Sequence, residues 1–359
     1  MELSVGIEPR NEYLSFELAR AARKLVEQVM LTRPGENVAI TADTSTDWRA
    51  VESTAKAAYA AGAVPTVLLY DTRLSTVLEP PAPVAGAVER ADVWIEFSFA
   101  TVLHTVAFKA ALAAGVRYIC LNGMDALMMV NTIGRVNYPK LLALGDAICR
   151  VIGAGDKVRI TSANGSDLVM YSRGRKVLQR GKLADTRGEA IMLGGQVSWC
   201  PEEETVNGRL VFDGALWPPV ELGLLHNPVA VTIEKGAITK IEGGAEARIF
   251  ERWMKGFNHE RMYWLAHISP GFNPGVTRTT GRIVEDERVF GCIEMGFGSR
   301  SQGAEDRGKT WKSWTAPAHT DGSILSPSIY VDDVPIEEEG RYVHPELVRG
   351  CRELGVPGY

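Results

Sequence analysis

His319 and Asp321 stand two residues apart in the segment Pro317-Ala318-His319-Thr320-Asp321-Gly322, and on an extended backbone such positions face the same way. An imidazole and a carboxylate would then converge on one point. Only six histidines are present, His104, His226, His259, His267, His319 and His344, so the company each keeps is informative. His267 is the first choice for a third donor. The run His267-Ile268-Ser269-Pro270-Gly271-Phe272-Asn273-Pro274 reads as a polar, Gly/Pro-rich turn of the sort that builds sites. His259 is the alternative. Two neutral imidazoles and one carboxylate bind a divalent first-row metal on one side and leave other positions open. With iron(II) this supports oxygen chemistry, and with zinc it supports hydrolysis. Spacing alone leaves a second reading open, a hydrogen-bonded His319 beside a turn Asp.

Other residues have plainer readings beside the functional one. Glu294, in Ile293-Glu294-Met295-Gly296-Phe297-Gly298, stands near a metal or in a structural ion pair. Ser299, Arg300 and Ser301 follow a pair of glycines and form either a substrate contact or a solvated loop, with Ser301 the candidate for binding substrate. Glu202-Glu203-Glu204 reads as a solvated turn, Trp311 and Trp314 as packing or an aromatic wall, and His226 and His344 as turn residues.

The elements that must position these groups fall into two halves. From Asn11 to about Ile152, helical periods at Tyr13–Met30 and Trp48–Ala61 alternate with short apolar runs at Asn37–Thr41, Val64–Tyr70, Val93–Phe97 and Tyr118–Leu121. Strand, helix and strand in succession predict an α/β domain over residues 1–155, a doubly wound parallel sheet. No G-x-G-x-x-G follows its first strand, so a dinucleotide is not expected. His104 follows the Val93–Phe97 run, beyond the carboxyl end of a strand, where open α/β sheets bind ligands. Residues 156–359 read as a β-rich α+β domain, with strands at Lys157–Ser162, Asp167–Ser172 and Arg209–Phe212. A hairpin turns at Lys235-Gly236, and a helix runs over Ala245–Lys255.

Composition narrows the function classes. The 359 residues are 45% hydrophobic, enough for two ordinary cores, and the 39 basic and 44 acidic side chains leave a net charge of −5. No basic run could track a phosphate backbone, so nucleic acid is excluded as a partner. No stretch approaches the ~20 apolar residues of a membrane span, and MELSVGIEPRNEY lacks the basic and then apolar character of a signal peptide. Five scattered cysteines encode neither a disulfide framework nor a thiolate zinc site. A cytoplasmic protein is expected.

Three segments together carry a resemblance: His319-Thr320-Asp321-Gly322-Ser323, His267 through Gly275, and Thr205-Val206-Asn207-Gly208-Arg209-Leu210-Val211-Phe212-Asp213-Gly214. They resemble the 2,5-dihydroxypyridine 5,6-dioxygenase family, which belongs to a superfamily shared with the M29 metalloaminopeptidases. The resemblance implies that His267, His319 and Asp321 bind one iron(II), Fe(2+), and that His104 is the acid–base group. It further implies ring opening with O2 to N-formylmaleamate, and a homo-oligomer. The peptidase relatives are the competing reading. Gly195-Gln196-Val197 stands where they carry Gly-Glu-Val, and a neutral amide cannot anchor a second dication. His267 likewise stands where they carry a ligand Glu.

Overall fold

The computed structural model describes residues 14–73, 78–179, 181–300 and 312–359. The chain divides into two compact units, Met1–Tyr138 with Gly181–Gly194, and Pro139–Arg180 with Gly195–Tyr359. The sequence reading divides it once, at 155/156. Two segments account for the difference. The helix Tyr138–Gly153 is held in the second unit from Pro139 onward, where Gln179 donates to the Leu142 carbonyl at 2.9 Å. Residues 181–194 return to the first unit, where Ala190–Ile191 adds an edge strand. Both associations join residues distant in sequence, and local composition does not encode them.

In the first unit, five parallel strands lie in the order Val64–Tyr70, Asn37–Asp43, Val93–Glu96, Arg117–Cys120, Ala190–Ile191. Asn37–Asp43 is buried along almost its whole length, the pattern of a central strand covered on both faces. The chain runs outward from it to Val64–Tyr70 and then back across to Val93–Glu96. With right-handed crossovers this reversal places the connecting helices on opposite faces. Helix Trp48–Ala60 accordingly packs with Ser15–Lys24, and Ala82–Val88 packs with Val106–Ala113. The doubly wound arrangement is the one the periodicity predicts.

Among the described residues the second unit holds two antiparallel sheets of five or more strands, besides the short pair Leu178–Gln179/Val197–Ser198. The larger has eight strands, including Lys157–Thr161, Asp167–Tyr171 and Asn207–Phe212. It also contains the hairpin Val229–Glu234/Ala237–Gly243, whose Lys235 and Gly236 both take positive φ, as a two-residue turn of this hand requires. The smaller sheet has five strands. Three of them, Leu265–Gly271, Cys292–Arg300 and Trp314–Leu325, run side by side with Cys292–Arg300 in the middle. Glu203 is buried rather than solvated. It accepts bonds from Arg175 and Arg300, each at 2.8 Å, so Arg300 serves this ionic cluster rather than a substrate loop. These partners lie far apart in sequence, and the acidic run alone gives no sign of them.

Glu337, in strand Val334–Glu338, is fully buried and neither carboxyl oxygen has a hydrogen-bond partner. Burial pushes its pKa well above the ordinary range. The folded chain therefore keeps a proton that the unfolded chain has lost. Its contribution to stability is fully present below the unfolded value of about 4.3 and declines as pH rises toward the folded one. Glu337→Gln should match the parent in thermal melts at pH 4 and exceed it increasingly from pH 5 upward, by at most about 1.4 kcal/mol per pH unit. A constant difference between the two across that range would show that Glu337 is not held protonated.

Candidate metal centre

The three adjacent strands of the smaller sheet carry the candidate ligands on one face. His267 pairs in register with Gly296, and Gly296 pairs with Asp321, giving one row across the sheet. His319 pairs with Gly298 one step along, so the i, i+2 spacing places it beside Asp321 as the sequence predicts. His267 lies within a strand, not in a turn. The register slips between Leu265 and His267, and such a bulge re-aims the side chain that follows it. Nothing in the local sequence marks that slip.

The donor atoms converge. His319 Nε2 is 2.9 Å from Asp321 Oδ1, and His267 Nε2 is 3.6 Å from the same oxygen. One donor atom from each of the three residues lies within 4.8 Å of the other two. The two imidazoles stack, with centroids 5.1 Å apart and planes 11° from parallel. His319 Nδ1–H donates to the Ser299 carbonyl at 2.8 Å, which orients the ring and directs Nε2 at the site. Although burial opposes it, the neighbouring imidazoles hold the Asp321 carboxyl well below the usual carboxylate range; Asp321 in turn raises His319 against its desolvation.

Gly296 lies beneath these rings. A Cβ at this position would come within 2.7 Å of both His267 Nδ1 and His319 Nε2, and would collide with His267 Cε1. The imidazoles lie directly against this glycine and leave no room for a side chain. Three donors of this type converging on one point fit a divalent metal. His259, the alternative ligand, instead accepts a bond from Arg261 N–H at 3.3 Å and caps the short helix Glu260–Tyr263. Gln196 donates to Glu287 at 3.3 Å. Trp314 donates to the Gly298 carbonyl at 2.8 Å and packs on Arg300 and Trp264, a structural role. Ser301 and Trp311 lie outside the described residues.

His104 belongs to the first unit. It is exposed, and its backbone sits at φ +71°, a conformation that costs energy for a residue with a side chain and persists only where neighbours impose it. Two buried carboxyl groups organise its loop. Asp43 accepts a bond from Phe99 N–H at 2.7 Å, and Glu96 accepts from Val102 N–H and the Ser98 hydroxyl, each at 3.0 Å, as well as from Tyr118 OH. Burial pushes the Glu96 pKa up to about 7 despite these donors. Thr105 then caps helix Val106–Ala113 through Phe108 N–H.

The profile of the NicX family, 2,5-dihydroxypyridine 5,6-dioxygenase, matches residues 17–344. The chain belongs to this family. Over 158 residues it is 30% identical to the 2,5-dihydroxypyridine 5,6-dioxygenase of Pseudomonas putida, a stretch covering 42% of this chain and 43% of that protein. Among solved structures, a 2,5-dihydroxypyridine dioxygenase from Pseudomonas putida KT2440 superposes with TM-score 0.72 at 19% identity, over 95% of this chain and 99% of that one. AmpT from Thermus thermophilus superposes with TM-score 0.65 at 17% identity, over 92% and 100%. At these identities the two structures show the fold alone, which this chain shares with both. Among the described residues, no helix is long and apolar enough to cross a membrane.

Proposed function

We propose that this member of the dioxygenase family opens 2,5-dihydroxypyridine, or a closely similar hydroxylated ring, with O2 to give N-formylmaleamate, using one iron(II) held by His267, His319 and Asp321. The observation that carries the reading is the convergence of these three donors over Gly296 in a chain of this family. Iron(II) supplies there a route for triplet oxygen to react with a closed-shell ring. Two imidazoles and one carboxylate leave positions for two small reactants, and both oxygen atoms enter the product, so no reductant is consumed.

His104 takes the proton from the ring hydroxyl and makes the ring electron-rich. Its support is its place beyond the carboxyl end of a central strand, in a strained conformation held by Glu96 and Asp43. The competing peptidase reading needs a second anionic anchor at Gln196, and that amide instead donates to Glu287.

Protein loaded with iron(II) under argon and then exposed to oxygen should consume O2 in step with the loss of 2,5-dihydroxypyridine. His104→Ala should retain its iron while turnover falls by about 10²- to 10⁴-fold. The loss should be steepest at pH values where the substrate hydroxyl is still protonated. Peptide hydrolysis with zinc that continues without oxygen, and no oxygen uptake with any hydroxypyridine, would overturn the reading.

A further inference from the structure

The face that carries His267 and Asp321 extends one further row, in which Ser269, Glu294 and Ser323 pair across the same three strands. Glu294 is fully buried. Its Oε2 lies 3.0 Å from His267 Nε2, and its carboxyl group also faces the Ser269 hydroxyl opposite it in register and the Asp321 carboxylate. A carboxyl group sunk in a sheet beside a second carboxylate is costly to the fold unless a cation or a shared proton offsets the charge.

The spacing indicates that use. Two ligands about 2.1 Å from one metal and at right angles are about 3.0 Å apart. The pair His319 Nε2–Asp321 Oδ1, at 2.9 Å, has this separation, and so does His267 Nε2–Glu294 Oε2, at 3.0 Å. The 3.6 Å between His267 Nε2 and Asp321 Oδ1 joins the two pairs. Charge agrees with geometry, because two carboxylates neutralise a dication that one leaves positive.

We propose that Glu294 is a fourth protein donor, so that the centre is built from two imidazoles and two carboxylates on three neighbouring strands. This rests on the metal-centre reading above. It goes beyond it in the number and charge of the protein donors offered to the metal.

Cobalt(II), which is stable in air, is the probe, read by its visible spectrum and by the rise in melting temperature on binding. Glu294→Gln should bind cobalt at least about 100-fold more weakly with an altered d–d spectrum, and Glu294→Asp should recover part of the loss. The metal-free Glu294→Gln protein should melt at a higher temperature than the metal-free parent, because one of two adjoining buried acids has been replaced by a neutral amide. A Glu294→Gln protein with the parent's cobalt affinity and spectrum would overturn the fourth donor alone, provided Asp321→Ala loses cobalt. A metal-free variant that melts lower would show Glu294 to be a structural partner of His267. A parent that binds no cobalt would overturn this proposal together with the metal centre.

Discussion

Asp321→Ala and His319→Ala should lose the divalent metal and turnover together, with affinity falling by well over about 100-fold in each. Asp321 stands at the junction of the site, 2.9 Å from one imidazole and 3.6 Å from the other, and its carboxyl is held ionised by both. Removing it takes away the one charge that both rings face. His319 is equally fixed, because the Ser299 carbonyl holds Nδ1 and leaves the ring no other donor to offer. Metal analysis after desalting, with His226→Ala and His259→Ala as variants that should keep their metal, checks the assignment. A fully loaded, fully active Asp321→Ala protein would show that the site lies elsewhere.

Gly296→Ala should be nearly as damaging, although it adds one methyl group to a residue with no chemistry of its own. The new Cβ would sit 2.7 Å from His267 Nδ1 and His319 Nε2, closer than real contacts allow, so the stacked rings must part. Both rings are partly exposed and can swing outward without disturbing the strands, so the protein should fold and melt within a few degrees of the parent. Its donors would no longer share a point. Displacements of about 1 Å in a reacting site cost on the order of 10²-fold in rate, and a comparable loss is expected in both metal affinity and turnover. Unchanged metal binding in a folded Gly296→Ala protein would mean that the rings do not close over this glycine when a metal is present.

Much of this molecule is legible along the chain. The alternation of helix and strand periods in the first half specifies a parallel sheet because each period reports which face of an element is buried. The Lys235-Gly236 hairpin and the His319/Asp321 pair are equally local, resting on turn conformation and on the two-residue repeat of a strand. The burial of Glu203 between Arg175 and Arg300 is not local, and its acidic neighbours disguise it as a solvated turn.

The sequence by itself therefore determined the architecture of the first half, the donor types and the two candidate ligands that share a strand. The sequence put His267 ahead of His259, but only tertiary structure brought its ring to those side chains, laid both rings against Gly296 and buried Glu294 at their edge. The reason is that a strand's side-chain alternation is written in consecutive residues. Register between strands, and a bulge that shifts it, are instead settled by packing among segments up to about fifty residues apart.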